Sequence, residues 1–83
     1  MRAQRTDGLE ERVISWYQEQ YVLLDRSRRR YRRLRVGQVV EVWAGERWQR
    51  MTVKSGGYRG RYIETAEGHR ERLALCMRVR LVG

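Results

Sequence analysis

The chain contains no proline and no phenylalanine, and only one histidine, one lysine and one cysteine in 83 residues. Without proline, turns must be made by the eight glycines and by short polar pairs. A lone Cys76 excludes an internal disulfide and suits a reducing compartment or mere indifference to redox. A structural zinc site needs four ligands from cysteine and histidine, and only Cys76 and His69 exist. As a nucleophilic pair these two would need an orienting group and an oxyanion site, which no segment announces. Neither a phosphate-cradling glycine-lysine loop nor a dinucleotide fingerprint is present. These absences read together as a non-enzymatic protein without metal or cofactor. Uncharged apolar runs such as residues 21–24 are far short of the roughly 20 residues of a membrane span. Residues 1–5 lead into no apolar signal segment, so the expectation is a cytoplasmic protein with no membrane or small-molecule partner.

What the chain has in excess is positive charge. Its formal net charge is +9, and residues 26–35 supply seven arginines with no acidic residue among them. So dense a run opposes compaction by self-repulsion, and it persists as a solvated arm or as a surface facing a polyanion. Eighteen arginines stand against the single Lys54. Guanidinium forks match phosphates and stack on bases, although a biased genome or a heat-adapted host would also enrich arginine. Hydrophobic residues at 41% suffice for a core. A chain this short buries about 60–65% of its unfolded surface, enough for one small domain without a deep cleft.

Residues 1–6 read as a frayed end. Asp7 with Glu10 forms a capping-box pattern, and Leu9, Val13, Ile14, Trp16, Tyr17 and Gln20 follow helical spacing. The expectation is an amphipathic helix over 8–20, preceding a β domain over 21–83. Residues 20–34 admit two readings: a helix continuing to Leu34, or a hairpin with strands 20–24 and 30–34 around a turn at 25–28. Tyr21 and Val22 favour a strand, and Asp25 and Ser27 favour the turn. Beyond Val36 the period is two. Strands are expected over 38–43, 48–54 and 58–64, with turns at 44–47, 55–57 and 66–69, a helical turn at 73–76, and a last strand at 77–81. In that last strand Met77, Val79 and Leu81 alternate with Arg78 and Arg80.

Short strands with frequent turns bury one apolar face by curling on themselves, which predicts a small antiparallel barrel. The segment 36–43, the turn before Trp48, the following glycine turn, and the helical turn before residues 77–81 resemble an SH3-like small barrel of the Tudor or KOW kind. Residues 36–82 also resemble an uncharacterised bacterial small-barrel family found near mobile elements. That second family implies no known activity, and SH3-like barrels bind nucleic acid, peptides or other proteins. The expected fold is therefore mainly β, an N-terminal helix followed by an SH3-like barrel.

The expected nucleic-acid-binding residues are Arg26, Arg28, Arg29, Arg30, Arg32, Arg33 and Arg35, with Tyr31 placed to stack on an unpaired base. Arg59 and Arg61 join them, in a glycine, arginine and tyrosine segment (56–62) like those of RNA-binding proteins, although a hairpin turn explains its glycines equally. Arg50, Lys54, Arg78 and Arg80 are expected to extend the basic face. Trp16, Trp43 and Trp48 suit the core or helix docking, or else an aromatic cage or base platform. A protein-interaction module, binding a peptide or a second copy through Tyr58 and Tyr62, is the alternative class.

Overall fold

The structure, a computed structural model, describes residues 11–27 and 29–82. These form one antiparallel sheet of eight strands: β1 Glu11–Tyr17, β2 Gln20–Leu24, β3 Tyr31–Arg33, β4 Val39–Trp43, β5 Trp48–Ser55, β6 Arg61–Glu64, β7 Arg70–Arg72 and β8 Arg78–Leu81. Their spatial order is β3-β2-β1-β8-β4-β5-β6-β7. Two meanders, β1 to β3 and β4 to β7, are thus joined by the last strand. β8 pairs with β1 on one side, Arg12 opposite Val79, and with β4 on the other, Val42 opposite Val79.

The N-terminal helix expected over 8–20 is not formed: residues 11–17 are strand β1, and the Asp7 cap lies outside the described residues. Val13, Ile14, Trp16 and Tyr17 are β-branched or aromatic and fit a pleated surface. Their spacing is also compatible with a helix, so periodicity alone did not separate the two. Seven residues would make a marginal helix by themselves, whereas two neighbouring strands satisfy the whole backbone of a strand. The turn into β2 is concealed in the sequence. Tyr17 pairs with Gln20, and between them Gln18 (φ 50°) and Glu19 (φ 62°) both adopt left-handed backbone. That is the two-residue hairpin turn which asparagine and glycine ordinarily mark.

For residues 20–34 the chain takes the hairpin, with Leu23 opposite Arg32 and Leu24 opposite Tyr31. Asp25, Ser27 and Arg29 organise its loop: the Ser27 hydroxyl donates to Asp25 Oδ1 at 2.8 Å, and the Arg29 N–H donates to Ser27 Oγ at 3.2 Å. Two further expectations are corrected. The strand placed at 58–64 begins only at Arg61, after a 3-10 turn over Tyr58–Gly60. The helical turn at 73–76 is a tight turn closed by the Met77 N–H on Ala74 O, with Cys76 at φ 70°.

One face of the sheet builds the core. Ile14, Tyr21, Leu23, Leu34, Val40, Val42, Met51, Val53, Ile63, Leu73 and Val79 form a single buried cluster, with Trp16, Met77 and Leu81 packed against it. Contributions reach from beside β3 to beside β7, so the sheet coils until its two ends share one interior, as strand twist allows. The barrel is nevertheless not closed: β3 and β7 are free edges. Each edge strand is three residues long and carries two arginines, a composition that opposes edge-to-edge association.

The left-handed backbone at Gln18 and Glu19 yields a test with opposite signs for the two structures. A Gln18→Asn/Glu19→Gly variant should be more stable by about 0.5–1 kcal/mol, since glycine relieves the left-handed penalty at some entropic cost. In a helix the same glycine would cost up to about 1 kcal/mol. Urea unfolding followed by tryptophan fluorescence reads the sign.

Candidate nucleic-acid interface

In the middle of the sheet the alternation of the strands sorts Glu11, Arg78, Arg80, Glu41, Arg50, Lys54 and Glu64 onto the face opposite the core. Glu11, Arg80, Glu41 and Arg50 lie directly across from one another on β1, β8, β4 and β5, a row of alternating sign. Cross-strand pairs of opposite charge stabilise such a face. Arg80 Nη2 donates to Glu41 Oε1 at 2.6 Å, and Arg50 lies 3.9 Å from the same carboxylate. Glu64 on β6 is flanked by Lys54 at 3.8 Å and Arg70 at 3.2 Å. Arg78 forks onto Glu11, its Nη2 donating to both carboxylate oxygens and its Nε to Oε2. Arg50, Lys54, Arg78 and Arg80, expected to extend a basic face, are therefore ion-paired within the chain.

The side-chain hydrogen bonds from Arg78 hold the Glu11 carboxyl below its usual value of 4.5, with the charges of Arg78, Arg26 and Arg80 adding to the effect. The same bond raises Arg78.

Rings share this outer face. Trp43 and Trp48 are a registered cross-strand pair with centroids 5.3 Å apart, lying on the outer face instead of in the core expected for Trp48. Arg80 stands 4.2 Å from the Trp48 centroid, and Arg78 stands 5.2 Å from that of Trp43. Elsewhere Arg59 lies between Trp16 (4.5 Å) and Tyr58 (5.1 Å), Arg72 lies 4.5 Å from Tyr58, and Arg70 lies 5.1 Å from Tyr62. Trp16 packs against the core from β1, edge-on to Tyr21, rather than docking a helix. The Arg61 guanidinium donates to Gly60 O at 2.8 Å. Arg59 and Arg61 thus have partners inside the molecule.

The β2–β3 hairpin is organised differently. Among the described residues, Arg26, Arg29, Arg30, Arg32, Arg33 and Arg35 form no ion pair, and all six are exposed. Arg28 lies outside the described residues. Two clefts flank the edge strand. The first, of about 560 Å³, gathers Arg29, Arg30, Tyr31 and Arg32 with Arg12, Asp25 and Ser27. The second, of about 550 Å³, is lined by Tyr31, Arg32, Arg33, Arg35 and Gln38. The run is thus split in two, as a hairpin requires: Arg32 shares the side of Leu23 and Leu34, while Tyr31 and Arg33 face the other way. Arg26 stands apart, in a third cleft with Glu11 and Arg78.

Two neighbours of this region escaped the sequence reading. Arg12 enters the first cleft because β1 pairs with β2, and Tyr17 reaches Tyr31, their centroids 5.1 Å apart. Both residues sit on the segment read as a helix, where no strand register could place them. His69 and Cys76, the residues weighed for catalysis, are exposed in separate turns. The His69 backbone is engaged in capping Thr65, whose buried hydroxyl accepts the His69 N–H at 3.0 Å. No helix among the described residues is long and apolar enough to cross a membrane.

Comparison with protein-family models, curated proteins and solved structures finds no match to this chain.

The Glu11–Arg78 fork predicts a definite pH response. A carboxyl held below its usual value contributes stability above that value and loses it as pH falls through the depressed one. Glu11→Gln should lower the melting temperature at pH 7, and the gap to the parent should close below about pH 4.5. Thermal unfolding across pH 2 to 7 at low salt, about 20 mM, measures it.

Proposed function

We propose that the β2–β3 hairpin binds the phosphate backbone of nucleic acid, with little sequence preference. The observation that carries this reading is the contrast between two sets of arginines. Those of the outer sheet face are held by Glu11, Glu41 and Glu64, while Arg29, Arg30, Arg32, Arg33 and Arg35 surround two clefts and form no ion pair among the described residues. Like charges gathered on a short strand raise the energy of the unbound protein through repulsion. A polyanion relieves this repulsion, and it releases its own condensed counterions when its phosphates are neutralised.

Folding supports the same reading by fixing where the arginines stand. β3 is paired to β2 along one side, and the Leu34 N–H donates to Tyr21 O at 3.1 Å, so the strand is tied down at the core end. A pre-ordered array loses less conformational freedom on binding than a loose arginine tail would. Phosphate contacts of this kind position a strand without reading its bases.

Charge reversal separates this site from mere net charge. Arg29→Glu/Arg30→Glu/Arg33→Glu should abolish retardation of a labelled oligonucleotide at low salt, whereas reversing Arg47, Arg61 and Arg72 should leave much of it. Equal loss in the two triple variants would mean that only overall charge matters. Milder Arg29→Gln/Arg30→Gln should reduce the logarithmic salt slope by about 1–2, roughly 0.7–0.9 for each phosphate that is no longer neutralised.

A further inference from the structure

The tyrosines beside these arginines narrow the ligand further, on the basis of the phosphate-binding reading above. We infer that the hairpin takes single-stranded nucleic acid, with an unpaired base stacked on the ring of Tyr31 and Tyr17 forming the rest of the platform.

The strongest support is a difference in how the chain treats its rings. Among the described residues, Trp16, Tyr58, Tyr62, Trp43 and Trp48 each have a guanidinium within 6 Å of the ring centre. The fully packed Tyr21 lies in the core, 4 % exposed. Tyr17 and Tyr31 alone among these aromatic residues are both exposed, at 48 % each, and uncapped. Yet Tyr31 sits in the most arginine-dense stretch of the chain, flanked by Arg30 and Arg32. Its arginine neighbours line the two clefts, and none of them lies over its ring.

Register explains how the two rings meet. Val22 stands in the middle of three strands, opposite Ser15 on β1 and Arg33 on β3. Tyr17 lies two residues beyond Ser15, and Tyr31 lies two residues before Arg33, so they approach diagonally across Val22 on the same face. Val22 is fully buried there, although it lies outside the core cluster. The rings are tilted by 59°, so one packs against the other and neither lies flat in a closed stack. A partly exposed ring fixed by a neighbour is a rigid stacking surface.

Stacking demands an unpaired base. In a duplex the base faces are occupied by their own neighbours, and phosphates alone would reach the protein. Aromatic faces set beside a basic groove are how single strands are held without sequence preference, since each base offers a π face. Tyr31 borders both clefts. A strand crossing β3 therefore passes from one set of guanidiniums to the other over that ring.

The test compares single- and double-stranded oligonucleotides of roughly 12 nucleotides, by fluorescence anisotropy, with the parent protein and with Tyr31→Leu and Tyr31→Trp. Leucine keeps apolar cover over Val22, and thermal melting checks that both variants remain folded. The expected result is tighter binding of single strands, a loss of about 5- to 150-fold in Tyr31→Leu, and recovery in Tyr31→Trp. The salt slope of Tyr31→Leu should match the parent, because every phosphate-neutralising arginine is kept. Equal affinity for single and double strands, with no effect of Tyr31→Leu, overturns this inference and leaves phosphate binding standing. Failure of the parent to bind either oligonucleotide at 50 mM salt overturns both. A mass above 10.1 kDa in gel filtration, reduced to that value by Tyr31→Leu, assigns the rings to self-association and also overturns it.

Discussion

Everything in this sheet depends on the insertion of β8 between the two meanders. Its four residues, Arg78–Leu81, pair with the start of the described chain at Glu11 and with Val40 to Val42 in its middle. Without it, β1 to β3 would be a three-stranded ribbon, and β4 to β7 a separate four-stranded one, each with an exposed apolar face. Val79 is central to the join, since it is buried between Arg12 of β1 and Val42 of β4. The residues on either side of it, Arg78 and Arg80, bind Glu11 and Glu41 on the reverse face. One strand thus supplies a buried apolar contact and an exposed ionic one on the same two neighbours. The exposed pairs contribute little stability individually. Their value lies in register, because a slip of one residue would bring arginines to the core side.

The same alternation decides which arginines can act on a partner. Strands inside the sheet have two neighbours, and Arg50, Arg78 and Arg80 there find carboxylates across the ladder. Edge strands have one neighbour and meet fewer such partners. β3 is an edge, and the residues opposite it on β2 are Val22, Leu23 and Leu24, none of which can neutralise a guanidinium. β7 is the other edge, but Glu64 stands opposite Arg70 and binds it, while Arg70 and Arg72 lie against the rings of Tyr62 and Tyr58. The two edges carry similar arginine content and differ in what faces them. Guarding a free edge against association accounts for arginine at both. It does not account for an ion pair being made, among the described residues, by the arginines of only one.

Much of this was legible in the sequence, and the exceptions have physical causes. The β4–β5 hairpin and β8 stood out because Val40, Val42, Met51, Val53, Val79 and Leu81 alternate with polar residues, and Gly45 marks the turn at φ 90°. β1 did not, because Val13, Ile14, Trp16 and Tyr17 satisfy two periodicities at once and the Gln18-Glu19 turn has no glycine or asparagine. β7 was missed because Arg70-Glu71-Arg72 has no apolar residue to reveal a period. The basic run was visible from composition, but which of its residues are free to meet a partner was not. That depends on carboxylates far away in the chain: Glu11 lies 67 positions from Arg78 and Glu41 lies 39 from Arg80.

The mistaken helix had the largest consequence for the site. On a helix, Tyr17 would have been a docking residue, distant from the arginines by construction. As a strand, β1 lies beside β2, and the hairpin carries β3 on its other side, so residues 17 and 31 share a face across Val22. An isolated tyrosine amid seven arginines could be explained as a spacer in a solvated loop. A pair of tyrosines held against each other over a buried valine is a built surface, since the rings pack on one another and the arginines beside them form no ion pair among the described residues. The surface is therefore a product of pairing between strands, and its three layers, valine, rings and guanidiniums, do not lie together within one continuous motif.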